Sequence, residues 1–253
     1  MTMHESVIVG TGDFRQALMS VRVHASTDKE SPAVHRVRLQ LGRQHLTVCA
    51  SDRFTCALAI VSLWGDKPPG GYHVIGVELL PDDVTKILGI FKGGKESVGE
   101  GVSPENLLRL EVLDEHLRIT DCSGMIDGRA LQIPRLSAED SALAAVAQQI
   151  EAVHQSPHRT IDDMAVSGDM IARFREASKA YGAPLLIEGR GVPSPSLLVR
   201  CGESFLGVMA SRELTADRRE RLDEYASGWQ QRLPGIVFEA RTIAAEYAGE
   251  AES

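Results

Sequence analysis

The apolar pattern changes period twice within the first fifty residues. Residues 5–9 read as a short strand, and Gly12 and Asp13 then introduce a helix whose apolar positions Phe14, Ala17, Leu18, Val21 and Ala25 recur at helical spacing. Arg15 and Arg22 fall on the other face of that helix. After a break of Ser, Asp and Pro, residues 34–41 alternate apolar with basic or polar side chains. Gly42-Arg43-Gln44 turns the chain into a second alternating run, 46–50, so the pair predicts a hairpin. A third strand is predicted over 55–63, before a loop at 65–71 with paired prolines.

The same order then returns. A strand at 72–75, a helix at 81–91 with Val84, Ile87, Leu88 and Phe91 on one side, and strands at 107–112, 117–121 and 128–133 repeat the first unit. Recurrence of a whole strand-helix-three-strand unit is stronger evidence than any single strand, because independent misreadings would rarely reproduce one order. A third, partial copy follows: a strand at 164–166, a helix capped by Ser167 with Met170, Ile171, Phe174 and Ala177 inward, and strands at 185–188, 196–201 and 205–209. Between the second and third copies, residues 137–160 show no strand alternation, and 142–153 read as helix. A further helix, 216–233, and a mixed tail follow the third copy.

The fold class is therefore α+β, with βαβββ units forming antiparallel sheet and helices on one face. The segments are an intact two-copy domain at 1–136, a helical linker at 137–161, a shortened domain at 162–212 and a C-terminal helical extension at 213–253.

Composition narrows the partners. Of the 253 residues, 43% are hydrophobic and 25% charged, the balance of a packed globular protein. A formal charge of −8 argues against coating nucleic acid through overall positive charge, and leaves only a local basic face to do so. Cys49, Cys56, Cys122 and Cys201 stand in or beside apolar runs without any Cys-x-x-Cys pair. They read as buried thiols, and a reducing cytoplasm is the expected compartment. The first ten residues lack a basic, apolar leader and no run is long enough to span a bilayer, so neither secretion nor a membrane partner is expected.

Several motifs approach known chemistry and stop short. Gly10-Thr-Gly12 imitates a dinucleotide-binding turn, but Arg15 occupies the third glycine position and an alternating hairpin follows. Residues 89–96 resemble a phosphate loop, yet Glu96 stands where a hydroxyl is needed. His154 and His158 have a zinc-like spacing, but Pro157 breaks the helix that would align them. Ser204 and Ser211 lack a nucleophile setting. No catalytic residue, metal or cofactor is assigned.

Three stretches carry a resemblance. Leu46-Thr-Val-Cys-Ala-Ser-Asp52-Arg-Phe-Thr-Cys-Ala-Leu58 resembles a strand, turn and strand in the middle domain of the bacterial DNA sliding clamp, the β subunit of the replicative polymerase. Ile126-Asp-Gly-Arg-Ala-Leu-Gln-Ile-Pro134 resembles the segment that ends that domain, and Leu197 to Met209 resembles the last two strands of the family. The likeness covers about three-quarters of the chain by element order. It departs at Ala210-Ser211, where the family has Pro-Met, at Cys56, where it has Leu, and in continuing beyond Arg212.

The resemblance implies a non-catalytic processivity factor. Its peptide pocket would be walled by Ser51, Asp52, Arg53, Phe54, Thr55 and Cys56 with Pro134 nearby, and by Val208, Met209 and Ala210 opposite. Its DNA-facing helices would carry Arg15, Arg22, Lys86, Lys92, Arg173, Arg175 and Lys179, meeting phosphates of double-stranded DNA without reading bases. The implied partners are duplex DNA, a DNA polymerase or other clamp-binding peptides, a clamp loader, and further copies of the chain in a homo-oligomeric ring. A clamp-derived adaptor or decoy that keeps the pocket and never encircles DNA is the alternative, and the shortened final domain favours it. A small-molecule enzyme using the Gly10 and Gly12 turn is the third reading.

Overall fold

A computed structural model describes residues 5–65, 74–93, 106–161, 164–191 and 194–251. Residues 1–212 form one compact unit and residues 213–253 another.

The first copy comprises β1 (Glu5–Gly10), α1 (Thr11–Arg22), β2 (Val37–Leu41), β3 (His45–Ser51) and β4 (Thr55–Trp64). The second comprises β5 (Ile75–Leu79), α2 (Pro81–Ile90), β6 (Leu107–Val112), β7 (His116–Asp121) and β8 (Ala130–Pro134). A 3-10 turn, Leu143–Ala145, leads into α3 (Val146–Gln155). The third copy comprises β9 (Met164–Ala165), α4 (Gly168–Arg173), α5 (Arg175–Tyr181), β10 (Leu185–Arg190), β11 (Ser196–Cys201) and β12 (Phe205–Ala210). Helix α6 (Ala216–Ala251) makes up most of the second unit.

Strand β4 is the branch point of the main sheet. One edge pairs with β3 from Ser62 to Cys56. The other is divided: its first half, Thr55 to Ala59, pairs with β12, and its last two residues, Leu63 and Trp64, pair with β1. From there the sheet runs β4-β3-β2-β5 one way, β12-β11-β10 a second way and β1-β6-β7-β8 a third. These pairings are all antiparallel, so among the described residues the parallel sheet that a dinucleotide site at Gly10 and Gly12 requires is not built.

Alternation along the strands separates two apolar layers. On β4, Ala57, Ala59 and Val61 face α1, while Cys56 and Leu58 face the opposite side, as a period of two demands. The main core joins Phe14, Ala17, Leu18 and Val21 of α1, Val84 and Ile87 of α2 and Ala177 of α5 to all three arms of the sheet. The helices of the three copies thus share one face.

Local sequence explains the helix ends. Pro81 opens α2 with its fixed φ and missing N–H where no intrahelical bond is lost, and Asp82 and Asp83 place negative charge at the positive end of the helix dipole. Gly182, at φ +62°, closes α5 in the left-handed conformation that glycine tolerates best. In β12, Gly207 lets the Phe174 ring lie against the strand, because a Cβ there would come within 2.4 Å of the ring carbon Cε1.

Several predicted boundaries move. The strand expected at 34–41 begins at Val37, because Val34 is taken into a turn with Ser31 and Ser26. The strand expected at 72–75 begins at Ile75 and runs to Leu79; Tyr72 and His73 lie outside the described residues, as do Gly94, Lys95 and Glu96. The third helix breaks at Phe174 into α4 and α5. Helix α6 passes through Pro234 and continues to Ala251, since a proline inside a helix removes one hydrogen bond and need not stop the chain.

Candidate functional site

The turn between β3 and β4 is held by its own side chains. Asp52 Oδ1 accepts from the amides of Phe54 (3.0 Å) and Thr55 (2.7 Å), and Ser51 Oγ accepts from the amide of Arg53 (3.1 Å). Arg53 lies at φ +79°, the one non-glycine residue with positive φ among those described. That strained geometry presents Phe54 outward, 55% exposed. The amide of Ala210 donates to the Phe54 carbonyl at 2.8 Å, which joins the turn to the end of β12.

Beside this turn lies a groove of about 460 Å³. Ser51, Arg53, Phe54, Cys56, Val208 and Ala210 form one wall, and Ala145, Gln148, Gln149, Ala152 and Val153 form the other. The second wall is α3 and the turn before it. Leu143, Val146, Ile150 and Val153 pack on Cys49, Cys56, Leu198 and Val208, across the sheet from α1 and α5. The sequence presented α3 only as a linker. Its stripe at Leu143, Val146, Ile150 and Val153 was the available signal, because an apolar stripe on a helix requires a surface to cover.

Six of the ten residues expected in a peptide pocket are therefore brought together, and four are not. Met209 is fully buried on the helix side, since neighbours on a strand point to opposite faces and Val208 and Ala210 line the groove. Thr55 is likewise buried. Asp52 turns toward α4, where Arg173 donates to its carboxylate and to Thr55 Oγ1 (2.9 Å). Burial would raise the Asp52 pKa, but donors from Thr55, Arg173 and Phe54 outweigh it and hold the carboxyl below its usual range. Pro134, on β8, pairs with His116 of β7 and lines a separate cleft with Gly76 and Arg135.

The seven helix cations also divide. Arg15 donates to the carbonyls of Leu88 and Phe91, so it caps the end of α2, and Arg173 is held by the β3–β4 turn. Both are internal ties between elements. Arg22 bonds Thr85 Oγ1 at 2.8 Å, Lys86 pairs with Asp83 at 2.7 Å and Lys179 with Glu176 at 2.6 Å. Lys92 and Arg175 are exposed, and Lys92 lies beyond the end of α2 and not on the helix.

Cys56, the thiol that lines the groove, is not poised as a nucleophile. Burial pushes the thiols of Cys49 and Cys56 up to about 12. Of the two histidines with zinc-like spacing, His154 meets Arg200 at 3.2 Å and His158 faces Glu188, and among the described residues no group of three His, Cys, Asp or Glu converges. Among the described residues, no helix is long and apolar enough to cross a membrane.

No family model and no curated protein sequence matches the chain. Solved structures do match. The DNA polymerase III β subunit of Thermotoga maritima is similar at a TM-score of 0.53 and 12% identity, over 86% of this chain and 67% of that one. A putative β subunit from Eubacterium rectale gives 0.59 and 9%, over 83% and 66%. The Bartonella birtlesii sliding clamp, solved bound to griselimycin, gives 0.54 and 9%, over 87% and 68%. The chain spans about two-thirds of the length of these clamps. Antiparallel arms meeting at β4 with the helices of three copies on one face are thus the fold of the bacterial DNA sliding clamp.

Proposed function

We propose that this protein is a non-catalytic, clamp-like processivity factor that holds a DNA polymerase near duplex DNA. The observation that carries the reading is the division of labour between the two faces of one sheet. On one face lie the helices with Arg22, Lys86, Arg175 and Lys179, and Lys92 just past the end of α2, suited to non-specific contact with phosphates. On the other, α3 and the β3–β4 turn form an apolar groove ringed by Ser51, Arg53, Gln148 and Gln149, suited to a short peptide. Assembly of several copies around DNA would use unpaired strand edges such as the outer edge of β8, which no described strand covers, with or without a loader.

The test uses the full chain. A processivity factor lengthens the products of its cognate polymerase and is retained on circular duplex DNA, escaping when the circle is cut. Griselimycin, bound by the Bartonella birtlesii clamp, is the probe for the groove. Phe54→Ala should weaken its binding, or that of a polymerase peptide, by roughly tenfold or more while leaving the melting temperature unchanged. Equal escape from linear and circular DNA, with no effect on any polymerase, would overturn the proposal.

A second reading, an adaptor that uses the groove and never encircles DNA, is favoured by Arg15 and Arg173 being spent on internal bonds and by the acidic partners of Lys86 and Lys179. Griselimycin or peptide binding without retention on DNA would select it.

A further inference from the structure

Helix α6 carries an exposed apolar seam. Leu222, Ala226, Trp229, Leu233, Ile236 and Ala240 recur at alternating steps of four and three residues, the spacing of a two-helix seam. All six are exposed, with Trp229 at 57% and Leu233 at 51%. The helix also contains Gly228, Pro234 and Gly235, each unfavourable inside a helix, and all three lie off the stripe. A helix so interrupted depends on packing of its apolar face to persist.

We infer that this face is covered by a second copy of the same chain, as an antiparallel pair of α6 helices related by a twofold axis between Leu233 and Ile236. Size and charge both select that arrangement. Around this axis the large Trp229 meets the small Ala240 of the second copy, and Leu233 meets its Ile236. Arg232 and Glu239, which flank the stripe on one side, then face each other twice across the seam. Arg232 already stands beside the stripe, its guanidinium 5.0 Å from the Trp229 ring centre. A parallel pair would set Trp229 against Trp229 and Arg232 against the apolar Val237, leaving the charges unmatched. The pairing does not rest on the clamp-like reading, because neither DNA nor the groove takes part in it.

Sedimentation equilibrium of the full chain without DNA tests it. The wild type should show a monomer–dimer equilibrium, and Trp229→Glu should be monomeric while the body at 1–212 keeps its thermal transition. Leu222→Glu is a second variant should the first not fold. Arg232→Glu and Glu239→Arg should each raise the dimer dissociation constant by about tenfold or more, and the double exchange should restore most of the affinity. A monomeric wild type, a dimer untouched by Trp229→Glu, or a double exchange no better than the single changes would each overturn the antiparallel pair. The first result would point to a helical partner of another kind.

Discussion

Arg173, in the third copy, donates to the carboxylate of Asp52, in the first, across 121 positions of sequence. The Asp52 side chain is 10% exposed and that of Arg173 29%, so the pair lies largely out of water. Arg173→Met should cost about 2 kcal/mol, the range for hydrogen bonds to charged groups, because it leaves a partly buried carboxylate short of a donor. Urea unfolding at neutral pH measures it. Since the folded Asp52 pKa is depressed, its contribution is present above the unfolded carboxyl value and is lost as pH falls through the folded one, so Asp52→Asn should flatten that acid limb.

His24 supplies a second acid-sensitive element. It is fully buried against Phe174, with ring centres 4.7 Å apart, and neither ring nitrogen has a hydrogen-bond partner. Burial first, then the charge of Arg173, lowers its pKa to about 3, partly opposed by Asp52. The folded protein thus keeps His24 neutral where the unfolded chain, at an ordinary value near 6.5, takes up a proton. Stability should therefore fall as pH drops below about 6.5, by about 1.4 kcal/mol per unit, until pH nears the folded value. His24→Phe should remove that slope in urea titrations across this range.

Gly207→Ala tests the packing of Phe174 on β12. The added methyl meets the ring at 2.4 Å and the Cys56 carbonyl oxygen at 3.2 Å, so the ring must move. A destabilisation of about 1–3 kcal/mol is expected from overpacking. Gly202→Ala, at φ +58° with open space around it, should cost about 1 kcal/mol through backbone strain alone. Comparing the two by thermal melts separates sterics from conformation.

The buried thiols give a labelling pattern. Cys49 and Cys56, pushed up to about 12, should resist iodoacetamide at pH 8 in the folded protein and react on unfolding. Cys122, which is less buried, should react first. Mass spectrometry of the digested protein reads the order, and rapid native labelling of Cys49, which lies under Leu143, would mean that α3 does not cover the sheet.

Binding of DNA by the helix face has its own signature in salt. Removing one cation that neutralises a phosphate should lower the slope of log affinity against log salt by about 0.9 on duplex DNA. Lys92→Gln and Arg175→Gln, at exposed positions, should each do so without changing the melting temperature, whereas Arg15→Gln should destabilise the fold by removing the cap of α2. Binding by filter retention at several salt concentrations distinguishes the two classes.

Element order, the α+β class and the recurrence of the βαβββ unit were legible in the amino-acid sequence, because period-two and helical apolar patterns are local and each copy repeats them. The Ser51 to Thr55 turn was legible too, as Asp52 bonds amides two and three residues on. Strict alternation also separates Met209 from Val208 and Ala210, although the likeness to clamps had placed all three on one wall. Only the tertiary structure decided that β4 divides its edge between β12 and β1, that α3 forms half of the groove, and that Arg15 and Arg173 bind inward. The inward bonds of Arg15 and Arg173 reach partners 73 and 121 residues away, and a polar side chain carries no local mark of whether its donors will meet solvent, phosphate or a distant carbonyl.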